Sequence, residues 1–153
     1  MRNKLVLFFA SGLGLGYAPL VPGTFGTLLG VVLYFFLGRI NIFIFLVILA
    51  ALLLLSFWLA DQTEQILFTR DPQVVVIDEV VGYLVTMISF PASWHYLLAG
   101  FFLFRFFDIT KIWPASYFDT SGKRGSAVVM DDVCAGVYAN IVLQILRMIF
   151  HWS

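Results

Sequence analysis

The chain has 153 residues, 61% hydrophobic and 12% charged, with nine basic side chains balancing nine acidic ones. A soluble domain carries about a quarter charged residues to wet its surface, so these few, with a mean hydropathy of +0.98, exclude an ordinary soluble globule. Zero net charge without a basic stripe excludes electrostatic nucleic-acid binding.

The length suits one domain, taken as residues 1–153, and no linker long enough to divide it is visible. A single cysteine, Cys134, excludes an internal disulfide. The start, "MRNKLVLFFASGLGLGYAP", is basic and then apolar. It runs on into "GLGLGYAPLVPG" without a clean cleavage site, which argues against a cleaved signal peptide. Residues 5–38 carry no charge but are broken by Gly and Pro, which leaves residues 5–20 either spanning or re-entrant.

Within "PLVPGTFGTLLG", residues 19–30, the Pro22-Gly23-Thr24 turn predicts a helix starting near Thr24 or Thr27. Free backbone N–H groups and hydroxyls at such a start, here Gly23, Thr24 and Thr27, suit an anion. An ordinary capped helix fits equally well. No Lys follows the glycines, so this is not a Walker loop.

Residues 40–60 form an uninterrupted apolar run of 21, enough for about 30 Å of hydrocarbon. A polar connection, "DQTEQILFTRDPQ", follows at 61–73. The next stretch, "VVVIDEVVGYLVTM", is apolar apart from Asp78 and Glu79. Each acid would cost about 2.5–3.5 kcal/mol at a bilayer centre. The charge-free run 80–104 contains Pro91 within "ISFPASWHY". A helical hairpin turning there would return Asp78/Glu79 and Arg105/Asp108 to one face.

With that face in the cytoplasm, Arg70, Arg105, Lys111, Lys123 and Arg124 fall inside, joined by Arg2 and Lys4 if the N-terminal segment is re-entrant, and only Arg39 and Arg147 outside, as the positive-inside rule asks. The expected fold is an all-α, polytopic membrane bundle of about four to five apolar helical segments.

Five carboxylates, Asp78, Glu79, Asp108, Asp131 and Asp132, stand at polar ends of apolar runs. Grouped at a membrane surface they would repel one another without a cation. Oxygen-rich sets of this kind suit Mg²⁺ together with phosphate oxygens. Acids also favour helix starts for electrostatic reasons alone, but two adjacent pairs in so charge-poor a chain weigh toward a site. Both pairs have a glycine four residues on, Gly82 after Asp78 and Gly136 after Asp132. On a helix that glycine lies one turn away on the same face, where another helix or a phosphate can approach.

In "FRFFDITKIWP", Arg105, Asp108 and Lys111 share about a 120° arc of a helix. They can pair internally, or the cations can grip a phosphate while the acid holds a metal. The two histidines, His95 and His151, each adjoin Trp and read as interfacial, and Cys134 has no nearby base. Phosphohistidine, aspartyl-phosphate and phosphatidyltransferase motifs do not occur. What remains is attack by water on a phosphate with help from a metal.

"VPGTFGT", "VIDEVVGYLVTM", "GFFLFRFFDITKIWP" and "VMDDVCAGVYA", in this order, resemble the phosphatidylglycerophosphatase A family over nearly the whole chain. The resemblance implies a Mg²⁺-dependent hydrolase of the bacterial cytoplasmic (inner) membrane, and the charge asymmetry above leads us to expect its active site to face the cytoplasm. It would convert phosphatidylglycerophosphate to phosphatidylglycerol and phosphate. The family's acidic motif falls on Asp78 and Glu79, its R-x-x-D-x-x-K helix on Arg105, Asp108 and Lys111, and its second pair on Asp131 and Asp132. Its turn falls on Pro22, Gly23 and Thr24. Ile112 stands where the family is expected to have Pro.

The expected cation ligands are Asp78, Glu79, Asp131 and Asp132, with Asp108 as a further catalytic acid. Arg105, Lys111 and the Gly23, Thr24 and Thr27 turn are expected at the phosphate. Another lipid phosphate such as phosphatidate, or a non-catalytic cation transporter or channel, are the alternatives.

Overall fold

The computed structural model describes residues 1–112 and 125–150. Among them are six α-helices, a short 3₁₀ turn and no strand. The helices are α1 (Arg2–Ala10), α2 (Pro22–Leu37), α3 (Ile42–Leu67), α4 (Ile77–Thr86), α5 (Trp94–Thr110) and α6 (Ser126–Phe150). Lys123, Arg124 and His151 lie outside the described residues.

Among the described residues, two helices are long and apolar enough to cross a membrane, α3 and α6. That is fewer than the four to five apolar segments expected, because breaks within the apolar runs shorten the other helices. The N-terminal run stops at Ala10, where Gly12, Leu13 and Gly14 all take positive φ. Nine helical residues extend only about 13 Å, so α1 does not cross. Its last carbonyl, on Ala10, accepts the Val76 N–H at 2.9 Å, pinning it beside the start of α4. This answers the question left at residues 5–20: the helix there is short and its end is held at the head of α4.

Proline at the first position of α2 costs no intrahelical hydrogen bond. Asn41 caps α3 by accepting the Phe43 N–H at 2.9 Å. The apolar run 80–104 is a hairpin: α4 ends at Thr86, Pro91 lies in the turn and α5 begins at Trp94. The carbonyls of such a turn need donors where no water reaches. Tyr34 on α2 donates its hydroxyl to Met87 and Phe90 carbonyls, at 2.7 and 2.5 Å. Asn140 on α6 donates its amide to Thr86 and Ile88, at 2.8 and 3.0 Å.

Helix α4 is the centre of the bundle, touching α2, α3, α5 and α6. Val80, Val81, Tyr83 and Leu84 are fully buried. The outward sides of α3 and α6 are apolar, with Phe43, Val47, Leu54 and Met148 exposed.

Two glycines bring α4 and α6 into backbone contact. A Cβ on Gly136 would strike the Gly82 carbonyl, and one on Gly82 would meet Phe104 and the Asp132 carbonyl. Of the approaches open to these positions in the sequence, the structure shows a helix. Gly136→Leu is therefore expected to cost about 1–3 kcal/mol by forcing the helices apart. Thermal unfolding in detergent checks this, with Val137→Leu, at a half-exposed position of the same helix, expected to change little.

Candidate active site

Helices α2, α4 and α6 begin, and α5 ends, around one cleft of 420 Å³. Asp78, Glu79, Arg105, Asp108, Asp131 and Asp132 all line it, with Lys111 and Gly23 at the same cleft. The hairpin is what makes this possible, since it returns the end of α5 to the start of α4.

Asp78 and Glu79 occupy the first turn of α4, where free N–H groups favour negative charge. Asp78 Oδ1 accepts the Glu79 N–H at 3.1 Å. One carboxylate oxygen from each of Asp78, Glu79 and Asp132 lies within 4.8 Å of the other two. Asp78 and Asp132 are buried, and Glu79 Oε2 is a buried oxygen without a hydrogen-bond donor. A divalent cation bound by oxygen would satisfy that atom and offset three converging charges. The residues present therefore fit a metal ion.

Burial pushes the Asp78 carboxyl above the usual carboxylate range, although hydrogen bonds with Glu79 pull the other way. Burial raises Glu79 further, and the charges of Asp78, Asp132 and Asp108 add to it. Protons and a cation compete for the same oxygens, so cation affinity falls as pH falls.

The remaining acids have cationic partners. Arg105 Nη1 donates to Asp108 Oδ2 at 2.5 Å. Lys111 Nζ reaches Asp131 Oδ2 at 2.9 Å, so Asp131 is beside a lysine rather than within the cluster of three. Gly23 leaves room for two of these groups, for a Cβ there would collide with Glu79 Oε1 and lie 3.0 Å from Arg105 Nη1.

Thr24 and Thr27 are not among the cleft-lining side chains. The Thr24 N–H is engaged by the Val21 carbonyl at 2.9 Å. Thr27, fully buried, donates its hydroxyl to the Gly23 carbonyl at 2.9 Å. His95 is exposed at the opposite end, within 3.4 Å of Ser93.

Asp71 and Gln73 also line the cleft. Sequence reasoning passed over them as part of a polar connection. The signal was an acid seven residues before Asp78 in a chain with only nine acids.

The family model described as Phosphatidylglycerophosphatase A matches residues 8–147. The chain belongs to this family. A Haemophilus influenzae protein named Phosphatidylglycerophosphatase A is 39% identical over 136 residues, covering 88% of this chain and 83% of its own. Its Escherichia coli namesake is 29% identical over 144 residues, covering 94% and 83%. A Bacteroides thetaiotaomicron protein, provisionally named a phosphatidylinositol-3-phosphatase, is 35% identical over 153 residues, covering 95% of each chain. No solved structure matches. Together with α3 and α6, the family makes this a membrane-associated protein.

Asp132→Asn removes one of three crowded charges. Without added metal, the variant is expected to melt at or above the wild-type temperature, by about 2–4 °C for each kcal/mol of repulsion relieved. Wild-type melting is expected to rise on adding a divalent cation such as Mg²⁺, and that rise is expected to disappear in the variant. An undiminished rise would remove Asp132 from the cation set.

Proposed function

We propose that this membrane protein hydrolyses phosphatidylglycerophosphate to phosphatidylglycerol and phosphate, using Mg²⁺. The observation that carries the reading is the cleft itself, with three carboxylates able to converge on a cation beside an arginine and a lysine. Family membership and the names of two relatives support the substrate.

Asp78, Glu79 and Asp132 would hold the ion. Once bound, it would polarise the phosphoryl group and make a water more acidic. Arg105 and Lys111 bind the phosphate oxygens and stabilise the charge that grows on them. Both cations are already paired, with Asp108 and Asp131, so an incoming phosphate exchanges partners with these acids. The acids released are then the proton acceptors for the attacking water. Its oxygen bonds to phosphorus as the bond from phosphorus to the glycerol oxygen breaks, and the proton that the acid took from the water passes to that glycerol oxygen, which leaves as the alcohol.

The protein is multi-pass in the bacterial inner membrane, and the cleft faces the cytoplasm. Arg70, Arg105 and Lys111 belong to the cleft end of the bundle, whereas Arg39 and Arg147 belong to the other, in keeping with the positive-inside rule. A cleft gathered at one end favours an enzyme over a transporter, whose acids would follow a path across the bilayer. The second reading is a phosphatase for a different lipid phosphate, favoured by the provisional name of the Bacteroides relative.

Purified protein is expected to release phosphate from phosphatidylglycerophosphate faster than from phosphatidate or phosphatidylinositol-3-phosphate. Chelation should stop turnover and Mg²⁺ restore it. Arg105→Ala is expected to lower turnover ~10²–10³-fold, the usual loss for one transition-state donor. Full activity in both Asp78→Asn and Asp132→Asn would sink the assignment.

A further inference from the structure

We infer that Glu64 is a positioning residue that holds the two acid pairs at the separation a cation requires. The inference rests on the proposed cation site, but Glu64 itself lies outside it, near the end of α3. Its carboxylate joins two segments distant in sequence. Oε1 accepts the Asp71 N–H at 3.1 Å, and Oε2 accepts the Gly125 N–H at 2.8 Å.

Asp71 leads into α4 and its Asp78-Glu79 pair, while Gly125 immediately precedes α6, which carries Asp131-Asp132. One side chain thus fixes the approaches to both helices that supply the triad. Two further observations show that these attachments are tightly defined. Asp71 sits in the left-handed region at φ 46, a conformation that persists only where surrounding contacts impose it. Gly125 packs so closely on α3 that a Cβ would meet Ala60 and Asp61 backbone atoms at 2.6 and 2.8 Å.

Asp61 supplies a built-in comparison. It lies one turn before Glu64 and accepts the Ser126 N–H at 3.2 Å, so it anchors α6 alone. Asn at position 61 keeps an oxygen acceptor and loses a charge. Gln at position 64 loses the same charge and also one of the two acceptors. The pair therefore separates positioning from the general attraction of negative charge for a cation.

The experiment follows the half-saturating Mg²⁺ concentration in purified, detergent-solubilised protein by two readouts. One is the Mg²⁺-induced rise in melting temperature, and the other is phosphate release from phosphatidylglycerophosphate. Glu64→Gln is expected to raise the half-saturating concentration about 10-fold or more in both, within the ~10–100-fold losses seen for residues that orient ligands. Asp61→Asn is expected to change it less than about 3-fold. Glu64→Ala should exceed Glu64→Gln, and Glu64→Gln carries the test alone where the alanine variant fails to fold.

A lower melting temperature with an unchanged Mg²⁺ requirement in Glu64→Gln would reduce Glu64 to a structural anchor and overturn the inference. So would an equal rise in Asp61→Asn. A wild-type protein whose melting ignores Mg²⁺ would overturn the cation reading and this inference together. A cation response without phosphate release would overturn only the proposed substrate, and the melting readout would still decide Glu64.

Discussion

Mutual repulsion among buried carboxylates is the constraint around which this bundle is organised. Asp78, Glu79 and Asp132 converge where two helices begin, largely out of contact with water. An arrangement of like charges in low dielectric is costly unless a counter-charge compensates it. The surrounding structure nevertheless forces it. Helix α4 is enclosed by four neighbours, and α6 meets it at backbone distance through Gly82 and Gly136. With the helices locked, the acids one turn above those glycines have little freedom to separate. Packing thus supplies the work of holding charges together.

The other charged groups temper that cost without removing it. Asp108 and Asp131 each carry a cationic neighbour, so the cleft combines a cation-poor side with two ready-made ion pairs. An ion pair is a reversible store of positive charge. A phosphate, with more negative charge than a carboxylate, competes well for the same guanidinium and ammonium groups. Under the proposed function, the two halves of the cleft would address opposite charges, one side a cation and the other the substrate's phosphate.

Much of this was legible in the sequence because so few charges interrupt the apolar runs. Asp78, Glu79, Arg105, Asp108, Asp131 and Asp132 are conspicuous for that reason, and Pro91 gave the hairpin that reunites them. The spans were harder to count. Apolar composition does not distinguish a helix facing lipid from one enclosed by other helices, and α4 is the latter. Thr24 and Thr27 looked like anion ligands because a helix start exposes hydroxyls in general. Which way each hydroxyl turns depends on local geometry, and Thr27 turns to its own helix. Asp71 and Glu64 were hidden in a connection whose polarity looked like ordinary solvent exposure. Their importance depends on what lies across from them, which no local pattern encodes.

The hairpin turn at Pro91 has a bearing on how the molecule comes into being. Its carbonyls take donors from Tyr34, synthesised before the turn, and from Asn140, synthesised long after it. A nascent chain that has reached only α5 has half of those donors. The last helix delivers Asn140 to one end of α4 and Asp132 to the other. The Asn140 share of those donors and the complete acid triad therefore both depend on α6, and a chain cut short before it has neither.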